Sequence, residues 1–293
     1  MASTREIRRR IKSVRNTAQI TKAMQMVASS KMARAQQSAL NGRPFATMAI
    51  DLMSRLAADQ HEDVHPLMAE REVKKRALIV VSTDKGLCGA LNSNLFREAA
   101  KYDPASTLFI AVGRKAAQFL ARARRKLAAE FSYHDTPDYA DCRAISRFAQ
   151  EAFLKGEVDQ VEVLFTRFIN TLSQRPEAQV LLPSGSVESK RARLQPEIST
   201  PAKPADQHLE YLFEPSAAEL LDRLLQYILD FEVGQLLLEA KASEHSARMV
   251  AMKSATDNAQ QLIKDLTLEY NKMRQASITT ELLEISSAAM SLG

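Results

Sequence analysis

Two long stretches at the ends of the chain have the hydrophobic pattern of α-helices and almost no helix-breaking residues. Residues 216–292 contain no proline and a single internal glycine, Gly234, and Thr4–Asn41 contains neither residue type. Proline removes a helix hydrogen-bond donor, and glycine costs about 1 kcal/mol relative to alanine inside a helix. The pattern predicts a C-terminal helix about 110 Å long, with Gly234 as its one point of bending, and an N-terminal helix of roughly 55 Å.

Apolar and small residues recur along both helices at the three- and four-residue spacing of a coiled coil. Residues four apart share a face, and alanines there let two backbones approach closely. Thr21, Gln25 and Glu269 fall on these faces and make the pattern imperfect. We expect an antiparallel coiled coil, and the alternative is a helical hairpin used only for stability. The residues concerned are Ile7, Ile11, Val14, Ala18, Ala28, Ala35 and Ala39 on the first helix, and Ala247, Ala251, Met252, Ala255, Ala259, Leu262, Leu266 and Met273 on the second.

The hydrophobic period changes between the two helices. Short apolar runs typical of buried strands alternate with helical patterns, which predicts an α/β domain with a mostly parallel sheet. The strands are expected at 77–82, 108–112, 129–133, 158–168 and 179–182, and the helices at 90–102, at 114–126 and after Pro137. A further helix is predicted at 45–60, with Met48, Leu52 and Leu56 on one face, and a surface excursion at 183–204.

This pattern predicts a fold class of α/β plus a long antiparallel coiled coil, with a small Rossmann-like domain inserted between the terminal helices. The expected division has four parts. Residues 1–60 form the N-terminal coiled-coil helix and a short helix, and 61–75 form a linker. Residues 76–210 form the α/β domain, and 211–293 form the long C-terminal helix that pairs with 1–41.

Composition narrows the class of protein. No window approaches 18 consecutive apolar residues, so no membrane-spanning helix is expected. The N-terminus is charged from Arg5 onward and lacks an apolar core, so we expect no secretory signal. Two cysteines, Cys88 and Cys142, are too few for a disulfide framework, which favours a reducing cytosolic compartment.

The net charge of +5 is concentrated at the N-terminus, where ten Lys and Arg residues up to Arg43 stand against one acid, Glu6. Nucleic acid, an anionic membrane surface and an acidic protein partner are the three candidate ligands. Nucleic-acid binding usually brings aromatic residues, and the first aromatic is Phe45. A membrane-surface helix needs bulky apolar residues opposite its basic face, and here that face holds Ala, Thr and Val. An acidic protein partner is favoured.

Candidate catalytic and metal-binding residues are few. Residues 85–89 form a Lys-Gly-x-x-Gly loop between a strand and a helix, but they lack the third glycine of a dinucleotide site and the order of a P-loop. Cys88 has no His or acid placed to activate it, and His61 and His65 have no evident third metal ligand, so we expect an inert thiol and two solvated histidines. The sequence predicts a non-enzymatic chain without cofactor or metal.

Four segments carry a resemblance to the gamma subunit of the bacterial F-type ATP synthase. They read ITKAMQMVASSKM at 20–32, STDKGLCGALN at 82–92, RMVAMKSATDN at 248–258 and RQASITTELLEI at 274–285. The resemblance extends over essentially the whole chain and is weakest at 183–206. It implies a non-catalytic rotor shaft whose helices lie inside a ring of three alpha and three beta subunits, with the α/β domain against the epsilon subunit and the membrane c-ring. It also implies a peripheral location at the cytoplasmic face of the inner membrane.

The resemblance also assigns contact residues. It implies coupling contacts at Met24 and Arg248, a catch for a beta-subunit loop at Arg274 and Gln275, and further contacts at Thr279 and Glu281. Lys85, where the family often has Arg, is expected to reach an acidic lever of beta, with less directional pairing than a guanidinium gives. The Ser- and Ala-rich tail after Ile285 departs from the usual Gly- and Ala-rich ending.

Two alternatives remain open at this point. One is a coiled-coil adaptor that binds nucleic acid through residues 8–15, for which steep salt dependence of DNA binding is the sign. The other is a nucleotide-dependent enzyme that uses the loop at 85–89, for which nucleotide binding by the isolated chain is the sign.

Overall fold

The computed structural model describes residues 4–59, 65–185 and 216–291. Its elements in chain order are α1 (Thr4–Asn41), α2 (Arg43–Asp59), β1 (Arg76–Val81), α3 (Leu91–Ala99), β2 (Thr107–Val112), α4 (Arg114–Arg122), β3 (Leu127–Phe131), α5 (Tyr139–Leu154), β4 (Gln160–Phe168), β5 (Gln174–Leu182) and α6 (Ala217–Ser291). They fall into two compact units, Met1–Ser29 with Arg248–Gly293, and Ser30–Ala247. Most of the excursion predicted at 183–204 lies outside the described residues.

The unit Ser30–Ala247 is built around a five-stranded sheet of order β3-β2-β1-β4-β5. All pairings are parallel except that of β4 with β5. Alternate residues of β1 enter two separate cores: Ile79 packs with α2, α5 and α6, whereas Leu78 packs with α3 and α4. Because β1 is covered on both faces, its sequence is a continuous apolar run. The predicted Rossmann-like domain is confirmed.

Two element boundaries differ from the sequence prediction. Helix α4 ends at Arg122, before the predicted residue 126, because Arg124 takes a positive φ of 51° and turns the chain. Strand β5 begins at Gln174, before the predicted 179, because the turn at Asn170 and Ser173 closes an antiparallel hairpin and pairs Gln174 with Phe168. Local hydrophobicity is low in this first half of β5, so tertiary pairing sets its start.

Helix α2 is buried on a different face from the one predicted. Leu56 is buried, but Met48 and Leu52 are exposed. The buried face is formed by Ala46, Ala49, Ile50, Met53 and Leu56. The helix carries apolar residues on two faces, and the one with the small alanines lets it lie close to the core.

The other unit is an antiparallel helix pair. Thr21 Oγ1 of α1 lies 2.7 Å from Thr256 Oγ1 of α6, and Arg8 donates a hydrogen bond to the Tyr270 hydroxyl. Since a lower number on α1 meets a higher number on α6, the two helices run in opposite directions. The predicted antiparallel coiled coil is therefore confirmed, and one of the residues that interrupted the apolar spacing, Thr21, takes part in it.

The contact face of α6 in this pair follows a strict alternation of four- and three-residue steps. Its core positions are Met252, Thr256, Ala259, Ile263, Leu266, Tyr270 and Met273, and Ala251 and Ala255 are half-buried beside them. The prediction of Leu262 on this face is wrong, because its side chain is 45% exposed and Ile263 takes the position. Glu269 is likewise exposed, and Tyr270 faces α1 in its place. A seven-residue repeat keeps one stripe toward the partner over the whole length.

Candidate functional site

The tip of α6 extends beyond the end of α1. The pairs Thr21–Thr256 and Arg8–Tyr270 place Thr4, the first described residue of α1, level with about Met273. From residue 274 to 290, every side chain that the structure describes is exposed. We call residues 274–291 the tip.

Four of the predicted contact residues lie together on the tip. Arg274, Gln275, Thr279 and Glu281 are all exposed and occupy two turns of the helix. The hydroxyl of Thr279 donates to the carbonyl oxygen of Gln275 at 2.9 Å, which satisfies that polar group inside the helix. The charged and amide ends of the other three side chains are directed to the surroundings.

The tip also presents apolar side chains to its surroundings. Ile278, Leu282 and Ile285 follow one another at helical spacing, and Leu283 lies beside them. All four are exposed, with Leu282 at 62%. A contiguous group of exposed aliphatic side chains is typical of a protein-binding surface. The tip therefore has the chemistry of a helix surrounded by protein.

The remaining predicted contact residues lie elsewhere. Met24 and Arg248 are half-buried and belong to the other end of the helix pair, away from the tip. Lys85 belongs to the unit Ser30–Ala247, where it is exposed in the loop between β1 and α3. The structure thus brings the four tip residues together on one surface and leaves Met24, Arg248 and Lys85 outside that surface.

The basic run of α1 is exposed along its length. Arg5, Arg9, Lys12 and Arg15 are all exposed, which suits an acidic partner. Arg8 has an internal contact, since its guanidinium carbon lies 5.3 Å from the centroid of the Tyr270 ring as well as hydrogen-bonding its hydroxyl. This contact couples the start of α1 to α6 near the base of the tip.

The loop at 85–89 uses its polar neighbours for its own structure. Thr83 Oγ1 donates to the Lys85 carbonyl at 2.7 Å, and the Asn92 amide donates to Thr83 Oγ1 at 2.7 Å. The same Asn92 side chain lies 3.5 Å from the buried thiol of Cys88. These contacts hold a tight β–α turn, which is the geometry of a structural loop.

The other candidate reactive groups are also explained by packing. Burial, followed by the nearby carboxylates of Asp141, Asp138 and Asp230, raises the pKa of Cys142 to about 12, so its thiol is protonated at neutral pH. His65, expected to be solvated, is half-buried: its Nδ1 accepts from the Leu67 N–H at 3.2 Å, and its Nε2 lies 3.1 Å from Asp222 Oδ1. His61 lies outside the described residues.

One cluster of acidic and histidine side chains has the spacing of a metal site. Ligand atoms of His134, Asp138 and Asp141 lie within 4.8 Å of one another. Asp138 caps helix α5 by accepting a hydrogen bond from the Asp141 N–H at 2.9 Å. Asp141 Oδ2 lies 3.2 Å from His134 Nδ1. Helix capping and this pair account for the arrangement.

A buried polar segment of α6 is not evident from the sequence. Residues 240–246, with the sequence AKASEHS, are buried at every position over two helical turns. Lys241 and Glu244 have the spacing of a surface ion pair, so the sequence indicates the pair but not its burial. We call residues 240–246 and the groups that contact them the collar.

The fold and the helix pair define a class of protein that comparison with known families identifies. Residues 3–292 match the family model described as ATP synthase. The ATP synthase gamma chain of Opitutus terrae is 49% identical over 290 residues, which cover 98% of each chain. That of Methylacidiphilum infernorum is 44% identical over 298 residues, which cover all of each chain. The chain belongs to the ATP synthase gamma chain family.

Solved structures agree with this family. The central stalk and c-ring structure of the Tetrahymena thermophila mitochondrial ATP synthase contains a chain with 25% identity and a TM-score of 0.57, covering 80% of this chain and 99% of that one. A chain of the Euglena gracilis mitochondrial ATP synthase has 19% identity and a TM-score of 0.66, covering 99% and 94%, and shows the same fold.

The predicted resemblance and the predicted non-enzymatic class are confirmed. The gamma chain is a central-stalk subunit, and catalysis belongs to other subunits of the complex. Within the described ranges, no helix is both long and apolar enough to cross a membrane.

Proposed function

We propose that this chain is the rotor shaft of a bacterial proton-translocating ATP synthase and transmits torque between the membrane ring and the catalytic beta subunits. The observation that carries the proposal is the tip, an exposed helix end with aliphatic side chains that continues beyond its coiled-coil partner. Family membership supports it, because the relatives are ATP synthase gamma chains. These observations favour a shaft over a nucleic-acid adaptor or a nucleotide-dependent enzyme.

The partners follow from the same proposal. Three alpha and three beta subunits surround the helix pair and the tip, whereas the epsilon subunit and the membrane c-ring contact the α/β unit. The chain is peripheral, held at the cytoplasmic face of the bacterial inner membrane through the complex. The Tetrahymena structure, which contains a central stalk together with a c-ring, supports the contact with the membrane ring.

Contact residues on the tip are taken from the family resemblance. Arg274 and Gln275 form the catch for a beta-subunit loop, and Thr279 and Glu281 make further contacts with the ring. Their exposure supports this assignment. A rotating surface must leave each ring position easily, and exposed polar contacts of about 0–1 kcal/mol each meet that requirement.

Of the other three assigned contacts, two carry a positive charge. Met24 and Arg248 make coupling contacts at the far end of the helix pair, and Lys85 reaches an acidic segment of beta. The exposed cations Arg5, Arg9 and Arg15 of α1 supply a positive surface for the same kind of partner. Opposite charges at short range attract even where solvent screens them.

The catch is tested by changing Arg274→Ala and Gln275→Ala together in the assembled complex. We expect a lower rate of ATP hydrolysis, because both contacts to the beta loop are removed, with the thermal unfolding of the free chain unchanged. The matched control is Gln260→Ala with Lys264→Ala, which removes an amide and a cation from exposed positions beside α1. Equal hydrolysis rates for the two double variants reject the catch.

The shaft itself is tested by co-purification. A tagged chain expressed in its own cells is expected to bring down alpha and beta ATP synthase subunits in a complex that hydrolyses ATP. Recovery of the folded chain without either subunit rejects the proposed function.

A further inference from the structure

Helix α6 is enclosed on all sides in the collar, although the segment is polar. Lys241 is 3% exposed, and Glu244, His245 and Ser246 are also buried. A helix buried all round is normally apolar all round. Polar side chains in such a place need partners, since an unpaired buried charge is strongly unfavourable. The partners of this segment therefore show what holds the helix.

One carboxylate, that of Asp135, lies close to basic side chains from both terminal helices. It lies in the loop between β3 and α5 and accepts a hydrogen bond from the ammonium group of Lys31 of α1. From α6, Lys241 Nζ lies 3.9 Å and His245 Nε2 lies 3.6 Å from Asp135 Oδ1. A loop of the α/β unit thus joins α1 and α6 through a single side chain.

The charges at this point are matched within the collar. Lys241 Nζ also lies 3.2 Å from Glu244 Oε2 and 4.3 Å from the centroid of the Tyr133 ring. Desolvation raises the pKa of Asp135, but the hydrogen bond from Lys31 and the charges of Lys241, Lys31 and His245 outweigh it and hold that pKa below its usual value. Asp135 is therefore ionised at neutral pH.

A second set of contacts holds α6 to the β4–β5 hairpin. Ser246 Oγ donates to the carbonyl oxygen of Thr171 at 2.8 Å, and the Gln174 amide donates to Ser246 Oγ at 3.3 Å. Two turns earlier, Glu239 Oε1 accepts from the Phe168 N–H at 3.3 Å. The helix is thus held by directional hydrogen bonds to the hairpin as well as by the loop that carries Asp135.

Ion pairs and hydrogen bonds of this kind resist the turning or sliding of a helix, which apolar packing alone resists weakly. Aliphatic side chains can exchange neighbours when a helix turns about its axis or slides, because the hydrophobic effect is non-directional. Turning α6 in the collar separates Lys241 and His245 from Asp135 while leaving the two α6 side chains desolvated. Lys241 keeps Glu244 of its own helix as a partner, but the buried ammonium loses the second carboxylate that offsets its desolvation, which makes the turned state costly.

We propose that Asp135 is a positioning residue that ties α1 and α6 to the α/β unit and keeps the two helices from turning within it under torque. The inference rests on the proposed rotor function, since only a loaded shaft needs such a tie. Asp135 contacts no reacting group and acts through the orientation of the helices.

The test measures how well ATP hydrolysis is coupled to proton pumping in membrane vesicles that carry the assembled complex. The shaft works against a proton gradient when no uncoupler is present and without one when an uncoupler is added. Asp135→Asn removes the charge, and Lys31→Met removes only the α1 arm while keeping Lys241 and His245 beside the carboxylate. Glu130→Gln, at an exposed position on β3, is the matched control. Each variant is assayed for ATP hydrolysis in the presence of an uncoupler and for the proton gradient that ATP hydrolysis builds in its absence.

We expect Asp135→Asn to keep the hydrolysis rate of the unaltered complex when uncoupled and to lose most of the steady-state gradient. Lys31→Met is expected to show a smaller loss of the same kind, and Glu130→Gln none. If Asp135 has a merely structural role, Asp135→Asn lowers the uncoupled hydrolysis rate and the proton gradient together, and that result overturns the proposal. An unchanged gradient in both Asp135→Asn and Lys31→Met overturns it as well. Failure of the unaltered chain to assemble with alpha and beta instead rejects the rotor function.

Discussion

The collar and the tip lie on the same helix and reverse the usual relation between polarity and burial. The α6 segment of the collar has the sequence AKASEHS and is buried at every position, whereas the tip exposes Ile278, Leu282, Leu283 and Ile285. Both are regular turns of α6. Helix formation is therefore independent of what surrounds each segment, and the surroundings decide what the side chains do.

The difference separates a segment whose side chains are used for contacts within the chain from a segment whose side chains remain available to other proteins. In the collar every charged group named above has a partner from the same unit, so the polar residues serve internal contacts. At the tip the aliphatic residues remain exposed in the part of the chain that the structure describes. Transfer of such exposed apolar surface from water into a protein environment is favourable by about 25 cal/mol per Å².

The largest expected effect is the loss of a charge from the collar. Lys241→Met keeps the volume of the side chain but leaves Glu244 and Asp135 without their buried ammonium group. We expect the free energy of unfolding to fall by about 3–5 kcal/mol, the cost of breaking a buried ion pair by removing one partner. Denaturant unfolding of the purified chain, followed by circular dichroism, measures it.

Lys253→Met is the control for this substitution, because Lys253 is exposed on the same helix. Surface changes of this kind usually stay within about 0.5 kcal/mol. Equal stability of the Lys241 and Lys253 variants contradicts the view that the collar charges are matched to one another.

The sequence predicted the helices of the two ends well and their surroundings less well. Helix α1 has the bounds Thr4–Asn41 that the absence of Pro and Gly indicates, and α6 ends within one residue of the prediction. Helix-breaking residues are local signals, so a long helix without them can be predicted from the sequence. The burial of Lys241 and His245 depends on loops far away in the chain, and no local pattern carries that information.

The contact face of α6 shows the same limit of sequence-based prediction at the level of single residues. Leu262 and Ile263 are neighbours of similar hydrophobicity, and only the register against α1 decides that Ile263 faces the partner. The tip residues Arg274 and Gln275 were found by family resemblance rather than by their chemistry. The physical pattern predicted only that a helix longer than its partner needs other protein around its free end.

The next largest effect concerns the polar contact inside the helix pair. Thr21→Val alone leaves Thr256 without its cross-helix partner, although the Thr256 hydroxyl keeps the Met252 carbonyl at 2.8 Å. We expect a loss of about 1 kcal/mol, the usual net value of one hydrogen bond. Thr21→Val together with Thr256→Val is expected to recover that loss, because two valines pack in the same space.

A polar pair in a coiled coil also fixes the register. We therefore expect the double valine variant to be as stable as the unaltered chain but less specific in register, measured by cysteine cross-linking between positions 8 and 270. Cross-linking confined to the native pair of positions in the double variant contradicts a role of Thr21 in register.

A smaller effect is expected at Gly234, the internal glycine of α6. A Cβ atom added there lies 3.1 Å from Cys142 Sγ of α5, so the glycine permits a close approach of the two helices. Gly234→Ala gains about 1 kcal/mol of helix propensity and loses a similar amount to this crowding. We expect little net change in the midpoint of thermal unfolding.

Relief of the crowding distinguishes this explanation from an unconstrained site. In a Cys142→Ala background, Gly234→Ala is expected to be stabilising by about 1 kcal/mol, since the helix gain is then unopposed. A double-mutant cycle of the unaltered chain, the two single variants and the double variant measures the coupling energy between positions 234 and 142. Additive effects of the two substitutions contradict close packing at Gly234.

The smallest expected effect on the free chain lies at the tip. Leu282→Ala removes an exposed side chain, so the free energy of unfolding of the purified chain is expected to change by less than about 0.5 kcal/mol. Leu266→Ala, buried in the helix pair, is the matched substitution and is expected to cost about 2–5 kcal/mol. If the tip lies inside the proposed ring of alpha and beta subunits, the difference between the two variants is expected to narrow in the assembled complex, because the ring then desolvates Leu282 as α1 desolvates Leu266. Thermal inactivation of ATP hydrolysis measures this, and a Leu282 variant that inactivates like the unaltered complex shows that the tip remains in water.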